Sequence, residues 1–340
     1  MLVSFVIPCY KSADTIGSVV DNILQLSLED GAKKQIVLVN DGSGPETFDA
    51  IRSLTEAHDN IIGVDLAKNR GQQSAIMAGF HHAEGDIIVV SDDDGQTPVE
   101  AVPDMIRKLD EDDLDVVCAR YVDRGKRSLF RRLGSWVNDM MVKYFLEKPD
   151  DINTSVFFTA RRFVIDEMMR YQNPYPSMEG LLLRTTYRIG NIDLQQKERL
   201  SGESGYNFRR LFALWLTGVT TFSIKPLRFA AFAGILFALV GFVVIIILVI
   251  EKFVVPDVSL GWTSLIATNL LVGGVILLVL GVIGEYIGRI YLSLNKSPQY
   301  VERTVIGQGK GDAEARIGKG NPGPERDPAG AEEQAGEREE

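Results

Sequence analysis

From Met1 to about Arg199, short and almost wholly apolar runs alternate with segments of helical periodicity. The apolar runs are Leu2–Ile7, Gln35–Asn40, Ile61–Leu66, Asp86–Ser91 and Asp115–Ala119. Runs without a polar alternate are what strands covered on both faces require. Between them the spacing predicts helices over Ala13–Leu26, Pro45–His58, Gly71–Ala83 and Pro98–Leu109. Strand and helix in alternation predict an α/β domain with a mainly parallel sheet and ligands at the carboxyl ends of its strands. Chemistry is therefore expected in the loops after Asn40, Leu66 and Ser91. The pattern weakens after about Arg127, where basic and amphipathic segments take over.

A second zone is uncharged. Phe229–Ile250 and Trp262–Gly284 carry no charge, and each is about 33 Å long as a helix, enough to cross a hydrocarbon core. Arg209, Arg210, Lys225 and Arg228 precede the first run, and Arg289, Lys296 and Arg303 follow the second. The connection holds only Glu251, Lys252 and Asp257. The positive-inside bias then predicts a two-helix hairpin with both termini cytoplasmic. Phe208–Leu216 mixes basic and aromatic residues at helical spacing, and is open between an interfacial helix and one packed on the first domain. From Gly307 the chain is rich in Gly, Pro, Glu and Ala, with nine acids against five bases, and reads as a disordered acidic tail. The expected organisation is a cytoplasmic catalytic domain over 1–206, a juxtamembrane segment over 207–226, and two spans within 227–290. A second juxtamembrane segment over 291–306 and the tail over 307–340 follow.

Charge and composition remove several classes. With 36 Lys and Arg against 46 Asp and Glu, and no basic stripe, nucleic-acid binding is not expected. Cys9 and Cys118 lie within apolar runs and read as inert core thiols. The three histidines, two of them adjacent, lack metal-ligand spacing, which argues against a zinc enzyme and a Ser-His-Asp hydrolase. The start, Leu2–Pro8, has no basic n-region and reads as part of the fold, not a signal peptide. Neither Gly-x-Gly-x-x-Gly after the first strand nor Gly-x-x-x-x-Gly-Lys occurs.

Three clusters carry candidate chemistry. Asp92-Asp93-Asp94-Gly95-Gln96 follows an apolar strand, and such a concentration of carboxylates calls for a divalent cation shared with substrate phosphates; the alternative is a solvated helix-capping turn. Asn40-Asp41-Gly42-Ser43 also ends an apolar strand, where an acid can accept from a ribose or base edge. Asn69-Arg70-Gly71-Gln72-Gln73 opens a helix.

In this order, and with Phe5-Val6-Ile7-Pro8-Cys9-Tyr10 ahead of them, these clusters resemble the family 2 glycosyltransferases. The resemblance continues through Arg199–Tyr206 and Gly284–Tyr291, and with two late spans it points to the polyisoprenyl-phosphate branch. It implies the GT-A nucleotide-sugar-binding fold, an interfacial helix and a transmembrane hairpin. It further implies inverting transfer from a nucleotide-sugar, UDP-linked in the bacterial members, to undecaprenyl phosphate at the bacterial inner membrane, with Mg²⁺ or Mn²⁺ and as a homo-oligomer.

Position by position, the resemblance puts the metal on Asp92, Asp94 and Gln96. It puts the nucleotide on Pro8, Tyr10, Asp41, Asn69, Gln73, Asp92 and Asp93. Arg120 and Arg131 match contacts to diphosphate, and Arg127, Arg131 and Ser135 the acceptor-phosphate side. Arg199 matches a mobile-loop arginine, so Asp94, Arg120, Arg131 and Arg199 form the expected catalytic set. Gly95 replaces a usual bulky residue, and Gly205 a usual lysine for which Arg199, Arg209 or Arg210 could substitute.

The chemistry agrees. A lipid phosphate has a second pKa of about 6 and is anionic near neutrality, so no strong base is required. Glu179 is open between a general base and a surface glutamate. The basic run Arg124, Lys126, Arg127, Arg131 and Arg132 is open between headgroup attraction and a solvated helix face. Two other functions compete. A processive polysaccharide synthase would need a Gln-x-x-Arg-Trp motif and more spans, which are absent. An inactive nucleotide-sugar-binding scaffold would be favoured by loss of Asp92 or Asp94, and both are present.

Overall fold

The computed structural model describes residues 1–122, 149, 152–195, 225–254, 261–295 and 297–307. They fall into two compact units. One comprises the described residues before 125, between 153 and 202 and from 298 onward; the other contains the two long late helices.

In the first unit the strands are β1 (Leu2–Cys9), β2 (Lys33–Asn40), β3 (Ile61–Leu66), β4 (Ile87–Val90) and β5 (Val116–Tyr121). β6 (Phe158–Arg161), β7 (Ile189–Leu194) and β8 (Glu302–Ile306) follow. Helices α1 (Ile16–Gln25), α2 (Pro45–Ala57), α3 (Gln72–Phe80) and α4 (Val102–Glu111) separate the first five strands. α5 (Arg162–Met169) and α6 (Met178–Thr185) lie between β6 and β7. One eight-stranded sheet results, in the order β7-β5-β6-β4-β1-β2-β3-β8. The pairs β4-β1, β1-β2, β2-β3 and β5-β7 are parallel, while β6 and β8 run antiparallel to their neighbours.

The chain builds β1, β2 and β3 outward, then returns to place β4 on the other side of β1. That reversal is where an open α/β sheet forms a crevice at its carboxyl edge. The β1-β4 ladder ends at the Val6–Val90 pair, while the β1-β2 ladder continues to Cys9–Asn40. Pro8, which has no N–H to give, thus stands where β1 has only one neighbour. The strands separate there.

Both faces are covered. Val3, Phe5, Ile7, Cys9, Ile36, Leu38, Val89, Val117 and Ala119 point into one core shared with α1, α2 and α4. On the other face α3 is buried over Ser74–Phe80. Both cysteines are free and buried, as expected of core thiols.

All five expected strands and four helices are present, with shifted ends. α1 begins three residues late, because a turn closed by Ser12 O precedes it. α4 follows a short 3-10 turn over Val99–Ala101. β6, β7, β8, α5 and α6 come after the sequence pattern has weakened. β8 falls in the stretch expected to be a second juxtamembrane segment, and it closes the β3 edge of the sheet instead.

The second unit contains α7 (Lys225–Val254) and α8 (Trp262–Leu294), which contact each other. Among the described residues one stretch, Leu271–Leu294, is long and apolar enough to cross a membrane, and Ala230–Val243 is a shorter apolar one. α8 therefore runs ten residues beyond the expected span at Gly284. The basic run at 124–132, the 208–216 segment and the tail beyond Gly307 lie outside the described residues.

Candidate active site

The β4 loop and the β1 loop are tied together by Asp93. Its Oδ2 accepts the Tyr10 N–H at 2.9 Å, and its carbonyl accepts the Thr15 hydroxyl at 2.7 Å. Burial pushes the Asp93 carboxyl up, against the Tyr10 amide and the Ser12 hydroxyl that favour its charge. Asp93 thus acts as a clasp between the β1 and β4 loops. Tyr10, half exposed, carries the Lys11 ammonium 5.5 Å from its ring centre, and Pro8 is the last strand residue but one before it.

Asp92 and Asp94 flank that clasp. Gln72 Nε2 donates to Asp92 Oδ1 at 2.7 Å, and Asp94 Oδ1 accepts the Gln96 N–H at 3.0 Å. The second contact is an Asx turn. It places Gly95 at φ +75°, a left-handed conformation that a bulky side chain would strain. The local geometry therefore accounts for glycine at this position. Tyr121, at the end of β5, is pushed up to about 12 by burial and by the charges of Asp92 and Asp94. One phenol thus senses both carboxylates.

Asp41 is buried at the end of β2. Its Oδ1 accepts the Arg70 N–H at 2.7 Å and its Oδ2 the Gly71 N–H at 2.9 Å. Burial raises its carboxyl and these two amides oppose the rise. Each oxygen keeps a further lone pair, so the residue braces the α3 entry while retaining acceptor capacity. Asn40 donates to Asp65 Oδ1 at 2.7 Å and receives the Ser43 hydroxyl at 2.6 Å, which fixes the same loop from beneath. Asn69 is exposed in the facing turn.

Two adjacent glutamines open α3 and point to different places. Gln72 reaches Asp92, whereas Gln73 Oε1 accepts the Met178 N–H at 2.8 Å, the first amide of α6. Ser177 caps that helix by accepting from Gly180 N, and Glu179 is bonded by the Thr154 hydroxyl. The α6 entry is therefore one wall of the same region. Successive helix residues project about 100° apart, so Gln72 and not Gln73 touches the acidic loop.

Arg120 is held elsewhere. Val117, Ala119 and Tyr121 face the core shared with α1 and α4, so strand alternation puts Arg120 on the opposite side. There its Nε and Nη2 both bond to Asp193 on β7. Arg127, Arg131, Ser135 and Arg199 lie outside the described residues. Sequence reading does not single out Tyr121, and it names Gln72 only within the Asn69–Gln73 cluster, without its contact to Asp92; side-chain direction alone separates each from the neighbour assigned a role.

Among the described residues no group of three or more His, Cys, Asp or Glu side chains forms a metal cage. A pair of carboxylates is nonetheless a fitting donor set for a hard divalent ion that completes its shell with substrate phosphates and water. Asp92 and Asp94 are the two carboxylates of this loop that could hold such an ion.

An α/β sheet with an acidic loop at its reversal point defines a class of protein that binds its ligands in a crevice at the carboxyl edge of the strands. A family model described as glycosyl transferase family 2 matches residues 4–169, and one described as GtrB C-terminal hairpin matches residues 225–290. An uncharacterized glycosyltransferase, YkcC of Bacillus subtilis, is 33% identical over 304 residues, spanning 89% of this chain and 94% of that one. A prophage bactoprenol glucosyl transferase homolog of Escherichia coli is 28% identical over 306 residues, spanning 90% and 99%. An undecaprenyl-phosphate 4-deoxy-4-formamido-L-arabinose transferase of Proteus mirabilis is 29% identical over 309 residues, spanning 90% and 94%. The chain belongs to the family 2 glycosyltransferases, with the α/β GT-A-like fold and a mostly parallel sheet.

Proposed function

We propose that this enzyme transfers a sugar from a nucleotide-sugar, UDP-linked, to undecaprenyl phosphate, with inversion and with Mg²⁺ or Mn²⁺. The observation that carries the reading is the acidic loop at the sheet's reversal point, where Gln72 holds Asp92 and where Asp92 and Asp94 both lie close enough to Tyr121 to raise its phenol. The names of the full-length relatives supply the acceptor class.

A bound divalent ion would neutralise charge on the departing diphosphate. Asp92 and Asp94 would hold it, with Gln96 beside them. Asp41 accepts from the nucleoside through its remaining lone pairs, with Pro8, Tyr10 and Asn69 around the base. Gln73 and Asp93 support that pocket through α6 and the β1 loop.

An oxygen of the acceptor phosphate, anionic near pH 7, forms the new bond to the anomeric carbon. The bond from that carbon to the donor's β-phosphate oxygen breaks, and the nucleoside diphosphate leaves with the electron pair. A single displacement inverts the anomeric centre. It needs alignment and charge stabilisation more than proton transfer, so no histidine or cysteine is required. Arg120, bonded to Asp193 on the other side of β5, is left out of the diphosphate site, while Arg127, Arg131, Ser135 and Arg199 serve the acceptor phosphate and the closing loop.

The membrane reading rests on chain connectivity. The residues before α7 and those after α8 belong to one sheet, so any crossing must be made an even number of times. Two crossings by α7 and α8, with both flanks cytoplasmic, agree with the basic flanks and with the match to a hairpin family.

The test is transfer from a panel of radiolabelled UDP- and GDP-sugars to undecaprenyl phosphate in detergent, with Mg²⁺, Mn²⁺ or EDTA. Metal-dependent labelling of the lipid by one donor is the expected result. Nucleotide binding with no labelled lipid from any donor would overturn the acceptor assignment.

A further inference from the structure

The segment that follows α8 returns to the first unit and is fixed there on three sides. Tyr300 Oη lies 2.9 Å from His81 Nδ1 at the end of α3. Ala67 N donates to Val301 O at 2.8 Å, extending the β3-β8 edge. Arg303 donates to Ala67 O at 2.9 Å and to Asp65 at 3.3 Å, the same Asp65 that holds Asn40. Gln299 lies at the head of this anchored segment and is 7% exposed. Its single amide nitrogen donates to two backbone carbonyls of a distant loop, Tyr171 O at 2.6 Å and Asn173 O at 2.8 Å.

The loop so held leads directly into the site. Pro174, Tyr175 and Pro176 follow, and Tyr175 sits at φ +63°, a conformation that a bulky side chain keeps only when its surroundings impose it. Ser177 then caps α6, and Met178 N is held by Gln73. The strained stretch is therefore gripped at one end by Gln299 and at the other by Gln73, whose neighbour Gln72 holds Asp92.

We propose that Gln299 is a positioning residue for sugar transfer: through the Tyr171 and Asn173 carbonyls it sets the Ser177–Glu179 turn against the Asp92 loop. Its effect on rate rests on the transfer reading above; its effect on the turn does not. Gln299→Glu keeps the size and removes both donated hydrogens, and would set a carboxylate against two carbonyls. Gln299→Ala removes the group. In either variant Tyr175 can leave its left-handed conformation and the turn moves. Misplacement of about 1 Å in such a wall can cost up to about a hundredfold in rate.

The experiment uses the full chain in detergent. Hydrogen–deuterium exchange in Gln299→Glu and Gln299→Ala is expected to be faster by about tenfold at the amides of residues 174–180, Met178 above all, with the β1 and β4 amides unchanged. In the transfer assay kcat is expected to fall about tenfold, while UDP affinity and donor KM stay within about twofold. Combined with Gln73→Leu, the loss is expected to be smaller than the product of the single losses, because both residues hold one turn.

Unchanged exchange over 174–180 overturns the proposal. So does faster exchange across the whole sheet, or a kcat equal to that of the unsubstituted enzyme, or strictly multiplicative losses. If the unsubstituted enzyme labels no lipid, it is the acceptor reading that falls, and the exchange measurement still decides whether Gln299 holds the turn.

Discussion

Arg120 and Asp193 stand opposite each other on the parallel strands β5 and β7, and the guanidinium grips both carboxylate oxygens. Arg120 holds the Asp193 carboxyl below its usual range through these bonds, and Asp193 raises the arginine in turn. A carboxylate lowered on folding stabilises the fold at pH values above its unfolded value of about 3.9, and the contribution is lost as pH falls through the lower folded value. An NMR titration of Asp193 should therefore show a midpoint below that value. Arg120→Ala should return it upward and remove the matching portion of the acid limb of the Tm–pH curve. An unshifted Asp193 in Arg120→Ala would mean that the pair does not form in solution.

Asp94→Ala should separate function from stability. The charge of Asp94 helps to raise the Asp93 carboxyl beside it, so the folded loop holds like charges close together. Removing one carboxylate relieves that repulsion, and Tm should stay level or rise. Turnover should fall by about 10²–10³, the order seen when one electrostatic stabiliser is lost. Mn²⁺ binding in the presence of UDP, followed by EPR, should weaken in parallel. A large drop in Tm would show that Asp94 is needed for folding.

Gly42 permits a close approach between two loops. Its φ is +58°, and a Cβ there would lie 2.4 Å from Asn69 N and 2.5 Å from the Lys68 carbonyl carbon. These are backbone atoms that cannot swing aside. Gly42→Ala should cost about 1–3 kcal/mol in chemical denaturation. It should also reduce UDP affinity, because Asp41 beside it braces the Arg70–Gly71 turn. UDP titration by calorimetry is the check, and an unchanged affinity would remove this loop from the nucleotide site.

Gln35 organises the opposite edge of the sheet, away from the chemistry. Its Oε1 accepts from Ser4 Oγ at 2.5 Å and from Glu84 N at 2.8 Å, and its Nε2 donates to His82 O at 3.1 Å. Gln35→Leu keeps the bulk and leaves those partners without their bonds, at a cost of about 1–3 kcal/mol. Urea denaturation should show the loss with the kinetics of the folded fraction unchanged.

The contrast between these positions and the late elements shows what the sequence made legible. The first five strands could be read because each is a continuous apolar run, and burial on both faces forces that composition. β6 is only four residues long and mixes Thr and Arg with Phe and Ala, and β8 opens on two adjacent charged residues, Glu302 and Arg303, as an edge strand permits. Neither carries the composition of a buried strand, so neither stood out. The acidic loop was legible because several carboxylates after an apolar strand are rare without a use. Gln72, Tyr121 and Gln299 were not, since a glutamine or tyrosine bears no mark of what its side chain meets.

By itself the sequence determined the alternation of strand and helix, the two long apolar runs, the strand ends that bear acids and, through its motifs, the family. Those properties depend on composition and on periods of two and 3.6 residues, which the chain carries locally. Tertiary structure alone decided that Arg120 faces Asp193, that Gln72 rather than Gln73 meets Asp92, and that β8 returns to the sheet to seat Gln299 on a loop 126 to 128 residues earlier. Such pairings follow from strand order and register. They are set by long-range packing, which no local pattern encodes.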